Sequence, residues 1–188
     1  MNGVISQWLA EPLRQSVRLV CMLGGALLVM QAPALTHVYA VSLLQIAQDA
    51  RRDIDQREAD ARQHYHMSDD AGDQAVIEGL RAREPSNAAT LDQSVARATM
   101  FNETYARIMA EPPLLQPLVA AWDAVTAPNS DKLAVLGTVI ETHVPQIILE
   151  PAAAVYGIAG LVLGSFVAQG VLTAFGGTQV QRTGRYHA

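Results

Sequence analysis

Residues 151–176, PAAAVYGIAGLVLGSFVAQGVLTAFG, carry no charge, and Gly160, Gly164 and Ala168 recur along them at every fourth position. A helix of this length, rising 1.5 Å per residue, exceeds the roughly 30 Å of hydrocarbon in a bilayer. Residues 19–41, LVCMLGGALLVMQAPALTHVYAV, form a second such run, with Gly24 and Gly25 in its first third. No charged residue falls between Arg18 and Asp49, or between Glu150 and Arg182. The two runs predict transmembrane helices at 19–42 and 151–176. They divide the rest into a cytoplasmic lead (1–18), an extracytoplasmic segment (43–150) and a cytoplasmic tail (177–188).

The composition supports this division. Of 188 residues, 50% are hydrophobic and only 16% charged, where an ordinary soluble domain has about a quarter charged. The net charge of −5 splits unevenly: the flanks up to residue 44 and beyond 151 sum to +3, leaving −8 on the segment between. That segment holds nine basic against seventeen acidic residues, so it offers no basic stripe and nucleic acid is excluded as a partner. Arg14 and Arg18 precede the first span, and Arg182 and Arg185 follow the second. By the positive-inside rule both termini are cytoplasmic and the acidic middle lies outside, in the periplasm of a Gram-negative cell. A rival reading takes Arg14, Arg18, the apolar core and Ala32-Pro33-Ala34 as a secretory leader with an A-x-A cleavage site. Glu11 and Pro12 in a long leading segment favour a retained span.

Between the spans the periodicity is helical and strand-like alternation is absent. Leu43, Ala47, Ala50, Ile54 and Ala61 keep one face, with Asp49, Arg52, Asp53, Asp55 and Glu58 assigned to the other, which extends the first helix outward to about Tyr65. A short helix follows at 74–83. Pro85-Ser86-Asn87 reads as a breaker before a second stripe of Leu91, Val95, Ala98, Phe101, Tyr105, Ile108 and Met109, which ends at Glu111-Pro112-Pro113. The two stripes predict an antiparallel helical hairpin. Residues 114–125, with Trp122 and a single charge at Asp123, either lie along the outer membrane interface or cap the hairpin core. Asn129 or Ser130 caps a further helix through Leu133, Leu136 and Ile140. Pro33 kinks the first span rather than ending it. Val4, Ile5, Trp8, Leu9 and Leu13 suggest a short amphipathic surface helix at the front. The fold class is all-α: two transmembrane helices flanking an extracytoplasmic helical hairpin domain.

The residues with most to say are packing residues. Gly157, Gly160, Gly164 and Ala168 permit close helix approach, which drives association where lipid removes the hydrophobic incentive. Their partner is the Gly24/Gly25 region, a second copy of the chain or another subunit. Gln31 and His37 are polar groups within the first span and read as interhelical hydrogen-bonding or interfacial residues. Cys21, the only cysteine, forms no intrachain disulfide or cysteine-based zinc cluster and has a packing role. His64-Tyr65-His66 with Asp69, Asp70 and Asp73 has metal-ligand residue types, but on a helix positions two apart diverge, and a solvated helix end is the better account. The NTPase, dinucleotide, nucleophile-elbow, zincin and haem-attachment motifs are absent. Glu103 with Tyr105, and Glu141 with His143, are neighbours by sequence only. No cofactor or metal is expected, and no enzymatic activity.

Gln31, Pro33, Leu35 and Tyr39, together with Ala154, Gly157, Gly160 and Gly164, resemble the pattern of a family of small, uncharacterised proteobacterial inner-membrane proteins classed as a domain of unknown function. The resemblance covers about residues 19–175. Leu35 stands where that family often has an aromatic, and residues 1–18 look like an extension. The resemblance implies a two-span topology around a helical periplasmic segment and brings no activity or substrate. The expectation is an accessory or assembly subunit of a larger membrane complex, or a homo-oligomeric scaffold in the lipid bilayer. The alternative is a periplasmic ligand- or cation-sensing module coupled through the first span.

Overall fold

A computed structural model describes residues 2–68, 70, 72–145 and 150–176; the side chains of residues 2–11, 175 and 176 are not part of that description. The described residues form helices and no strand: α1 (Asn2–Met30), α2 (Ala32–Tyr65), α3 (Asp73–Arg81), α4 (Pro85–Met109), α5 (Gln116–Thr126), α6 (Ser130–Thr142) and α7 (Pro151–Gly176). Two apolar stretches, within Pro12–Tyr65 and Pro151–Ala174, are long and apolar enough to cross a membrane. The chain divides into two compact units, one holding α1 and α7 and the other comprising Pro33–Val144.

The first helix differs from expectation at both ends. Its backbone runs unbroken from Asn2 through Pro12, so the lead is not a separate surface helix. The side chains up to Glu11, including the expected interfacial anchor Trp8, lie outside the described residues, as do Arg182 and Arg185. At the other end the expected kink takes the form of a one-residue interruption. α1 stops at Met30, and the Gln31 N–H turns back to the Leu28 carbonyl at 3.2 Å. Pro33 is the cause: it has no N–H for the Val29 carbonyl, and its ring crowds that oxygen. In the first turn of α2 the same proline is harmless, because the N–H there has no intrahelical partner to lose.

Residues 33–42, assigned by hydropathy to the first span, belong to the second unit. Tyr39, Ala40, Leu43 and Ala47 pack with Phe101 and Ile108 of α4 and Val139 of α6 in one core cluster. The other cluster joins Ile54 and Ala61, further along α2, to Val76, Ile77 and Leu80 of α3 and to Ala88, Leu91 and Ala98 of α4. Contacts along α4 thus run in the reverse order to those along α2. Each fully buried Leu, Ile or Phe in these clusters contributes about 1.5–3 kcal/mol.

Boundaries follow local chemistry. α2 ends because His66 adopts φ 51°, the left-handed conformation of a helix-closing residue, and the Met67 N–H reaches back to the Arg62 carbonyl at 3.0 Å. α4 begins at Pro85, several residues before its apolar stripe, so the expected breaker is the first turn of the helix. Proline's fixed φ and absent N–H suit that position. Asn129 caps α6 by accepting from the Asp131 N–H at 2.9 Å and the Lys132 N–H at 3.4 Å.

Candidate functional site

In the first unit the buried residues described on α7 are glycine and alanine, and its glycines face α1. Ala153, Gly160, Gly164 and Ala168 are buried, at helical spacing. The helices approach so closely that backbone meets backbone. A methyl carbon placed on Gly164 falls 2.8 Å from Met22 Cα and 2.9 Å from the Cys21 carbonyl carbon, with the Cys21 carbonyl oxygen nearer still. One placed on Gly160 falls 2.7 Å from Ala26 Cα and 2.8 Å from the Gly25 carbonyl carbon, and one on Gly25 falls 2.6 Å from the Gly160 oxygen. Gly157 makes ordinary contact with Met30, its nearest atom at 3.9 Å. The pairing of 164 with 21, 160 with 25 and 157 with 30 makes the two helices antiparallel.

Of three partners open to the glycine face, the structure fills it with α1 of the same chain. Gly24 is a correction: nothing lies within 4 Å of a methyl carbon placed there, because one residue rotates the helix by about 100° and takes Gly24 off the contact that Gly25 makes. Gln31 is buried and belongs to the first unit, whereas His37 is exposed on α2 and belongs to the second. Cys21 is a free thiol, half-buried, and contributes its backbone to the Gly164 contact.

The second unit contains two buried charge clusters, neither singled out in the sequence. Asp123 of α5 is 4% exposed and Lys132 of α6 is 5% exposed. Lys132 Nζ donates to Asp123 Oδ2 at 2.7 Å, and the half-exposed Arg107 of α4 donates to Oδ1 at 2.8 Å. One carboxylate therefore joins three helices, and its two oxygens each receive a charged donor, the condition under which a buried ion is tolerated.

The other cluster surrounds Glu58, only 1% exposed. Its position, four after Ile54 and three before Ala61, puts it on the apolar face and not on the opposite side to which the sequence reading assigned it. Glu58 Oε2 accepts from Arg62 at 2.9 Å, while Oε1 is buried with no donor. Asp73, at the start of α3, is held by both terminal nitrogens of Arg51, one of them at 3.0 Å. The two carboxyls titrate apart. Burial, then the neighbouring Asp73 charge, pushes Glu58 above the usual carboxylate range against the pull of Arg62 and Arg51. The Arg51 hydrogen bond holds Asp73 below it, helped by a bond from Glu58 when that carboxyl is protonated.

A stability profile follows. Because Glu58 binds its proton more readily in the folded chain than in the unfolded one, its contribution is complete below the unfolded value of about 4.3 and is lost as pH rises through the higher folded value. The contribution of Asp73 has the opposite sign: it is present above the unfolded value of about 3.9 and is lost as pH falls through its depressed folded value. Glu58→Gln copies the protonated form and is expected to hold or raise the thermal midpoint at neutral pH. It should also flatten the gain in stability shown by the wild type as pH drops from neutral toward about 4.3. Melting curves of the full chain across that range check this; a variant with an unchanged slope contradicts it.

The residues expected to offer metal-ligand types are dispersed. Tyr65 donates a short hydrogen bond to Glu84, His64 packs edge-on against the Tyr65 ring with centroids 4.7 Å apart, and Asp73 is engaged by Arg51. Asp69 lies outside the described residues. Among the described residues no group of three His, Cys, Asp or Glu side chains is placed to hold a metal ion. An open groove of about 500 Å³ runs past Thr90, Ser94, Arg97, Met100, Asn129 and Asp131, and is bridged by the Arg97–Asp131 ion pair at 2.9 Å. Its polar groups are those of a solvated surface, with no nucleophile set beside a base.

No curated protein and no solved structure matches the chain. A family profile does, over residues 13–180, described as a protein of unknown function (DUF2937). The match starts within the lead, so residues 13–18 are part of the family's region and not an extension. It takes in the Gly164–Cys21 and Gly160–Gly25 contacts and both charge clusters. With that coverage, the chain belongs to the DUF2937 family of proteins of unknown function.

Proposed function

We propose that this is a non-enzymatic, two-span inner-membrane protein that displays the acidic helical unit of α2–α6, with α2 and α4 as its hairpin, on the periplasmic side as an accessory or assembly module of a membrane complex. The observation that carries the reading is the outward surface of the first unit. With their small residues spent on each other, α1 and α7 turn Leu19, Val20, Leu23, Leu27 and Leu28, and Val155, Ile158, Val162, Leu163, Phe166 and Val167, outward. Such ridges are intolerable in water over this length and are the expected lining against lipid tails.

The register of the pair sets the depth of the first span. Gly164 meets Cys21 and Gly160 meets Gly25, so the portion of α1 opposite α7 is shifted toward the N-terminus relative to residues 19–42, beginning before residue 19 and extending back toward Pro12. Arg14 and Arg18 are exposed there and reach the cytoplasmic headgroups by extending their stems. The glycine face is occupied within the chain and is therefore not what recruits a second copy. Partner contacts fall to the displayed unit, whose net acidity favours a basic or neutral surface.

Alkaline carbonate washing of native membranes, reporters fused at each terminus, and crosslinking before gentle solubilisation test the reading together. The expected result is a chain retained in the membrane pellet, with both reporters cytoplasmic and a crosslinked species larger than the monomer. Release by carbonate overturns the span assignment. A monomer in every crosslinking condition overturns the accessory role.

A further inference from the structure

We propose that the outward ridge of α5, formed by Leu115, Leu118, Trp122 and Val125, rests in the outer headgroup layer of the bilayer that α1 and α7 cross. The ridge residues are spaced three, four and three apart and so share one side of the helix. Trp122 is 71% exposed and Val125 77%, with Leu118 and Leu115 also exposed. The opposite side of α5 is already used: Val119 and Ala120 pack on the core, and Asp123 is buried against Lys132. The helix therefore both caps the core and leaves an apolar ridge uncovered. Of the two placements its sequence left open, the packing of Val119, Ala120 and Asp123 matches the cap on the core and leaves the ridge free for the membrane interface.

Three observations select lipid as the occupant. The unit bearing α5 is tethered at both chain ends to an apolar helix: only Gln31 and Ala32 separate Met30 of α1 from Pro33, and α7 begins seven residues after Val144. Within its own unit α5 packs through Val119 and Ala120 in the core cluster that holds Leu35, Tyr39 and Ala40, so it lies beside the stretch of α2 where the chain enters the unit from α1. The only charge carried by α5, Asp123, is turned inward and neutralised, so inserting the ridge buries no ion. Trp122 at its centre has the amphipathic ring that concentrates at the headgroup level. Electrostatic attraction is not the cause, because the segment between the spans carries −8 and anionic lipid would repel it. The ridge is held by apolar burial.

This inference rests on the two-span reading, and its test separates the two. The full chain carrying Trp8→Phe, so that Trp122 is the only tryptophan, is reconstituted into vesicles of neutral phosphatidylcholine, with bromine placed on the lipid either near the headgroup or near the bilayer centre. Carbonate washing of the same vesicles reports the spans. The expected result is blue-shifted Trp122 emission, lost more strongly to the shallow bromine than to the deep one and unchanged when a third of the lipid is anionic. Emission like that of tryptophan in water, unquenched by either lipid while the chain resists carbonate, overturns the ridge proposal and leaves the spans standing. Blue-shifted emission indifferent to bromine means a second copy or another protein covers the ridge, and also overturns it, as does quenching that requires anionic lipid. Release of the chain by carbonate overturns both readings. Leu118→Ser with Val125→Ser should weaken the shallow quenching without altering carbonate resistance.

Discussion

Gly164→Val and Gly160→Val each lower the thermal midpoint of the purified full chain, whereas Gly24→Ala leaves it unchanged or raises it. All these glycines sit in apolar helices, so hydropathy and helix propensity predict no such difference. Every residue but proline has intrinsically better helix propensity than glycine, by up to about 1 kcal/mol for alanine. The contrast comes from what a side chain would meet. At 164 and 160 the first carbon already falls within 3 Å of Cys21, Met22, Gly25 or Ala26 backbone atoms, which have no rotamer to change. The helices must part, and every contact along the interface weakens at once, because dispersion falls steeply over the first ångström. Overpacking of this kind costs about 1–3 kcal/mol per site, and for a chain of this size each kcal/mol moves the midpoint by about 2–4 °C. At Gly24 a methyl meets nothing within 4 Å. Equal effects at 24 and 164 would show that the helices do not pair through this face.

The comparison also marks how far the sequence could be read. The two apolar runs were legible because lipid-length segments without charge are rare. The helix ends at Tyr65 and before Pro112 were legible because proline and polar turns stop helices locally. The glycine face was legible as a packing surface, but not its partner: a stripe of small residues fits any helix that approaches closely, and only the register with Cys21 and Gly25 selects α1. Glu58 was available in principle, since its spacing from Ile54 and Ala61 places it on the buried side; treating every carboxylate as solvent-facing hid it. Asp123 could not have been paired from sequence. Lys132 lies nine residues away across the turn at Pro128, and Arg107 sits on another helix, so no helical periodicity links them. Where a group's environment is set by neighbours distant along the chain, composition and period say nothing of it.

The charge cluster around Asp123 supplies the other large effect. Asp123→Ala removes the carboxylate that accepts from Lys132 Nζ, 2.7 Å away, and leaves an ammonium 5% exposed without that counterion. Breaking a buried pair from one side costs about 3–5 kcal/mol, because the remaining charge stays desolvated. The full chain should lose that much in denaturant titration. Asp123→Asn should lose less, since an amide oxygen still accepts from Lys132 although the charge is gone. Arg107→Ala should lose least of the single changes, because Arg107 is half-exposed and water replaces its partner. The decisive variant is the double change Asp123→Leu with Lys132→Met, which removes both ions and restores an apolar contact of similar volume. If the pair is a structural joint, this variant recovers most of the stability lost by Asp123→Ala and can exceed the wild type. Its shallow Trp122 quenching should survive too, because the helix would still be fastened to the core with its ridge outward. If stability returns but that quenching disappears, the ions were orienting α5 and not merely holding it, and the charge trio would have to be counted as part of the membrane-facing surface.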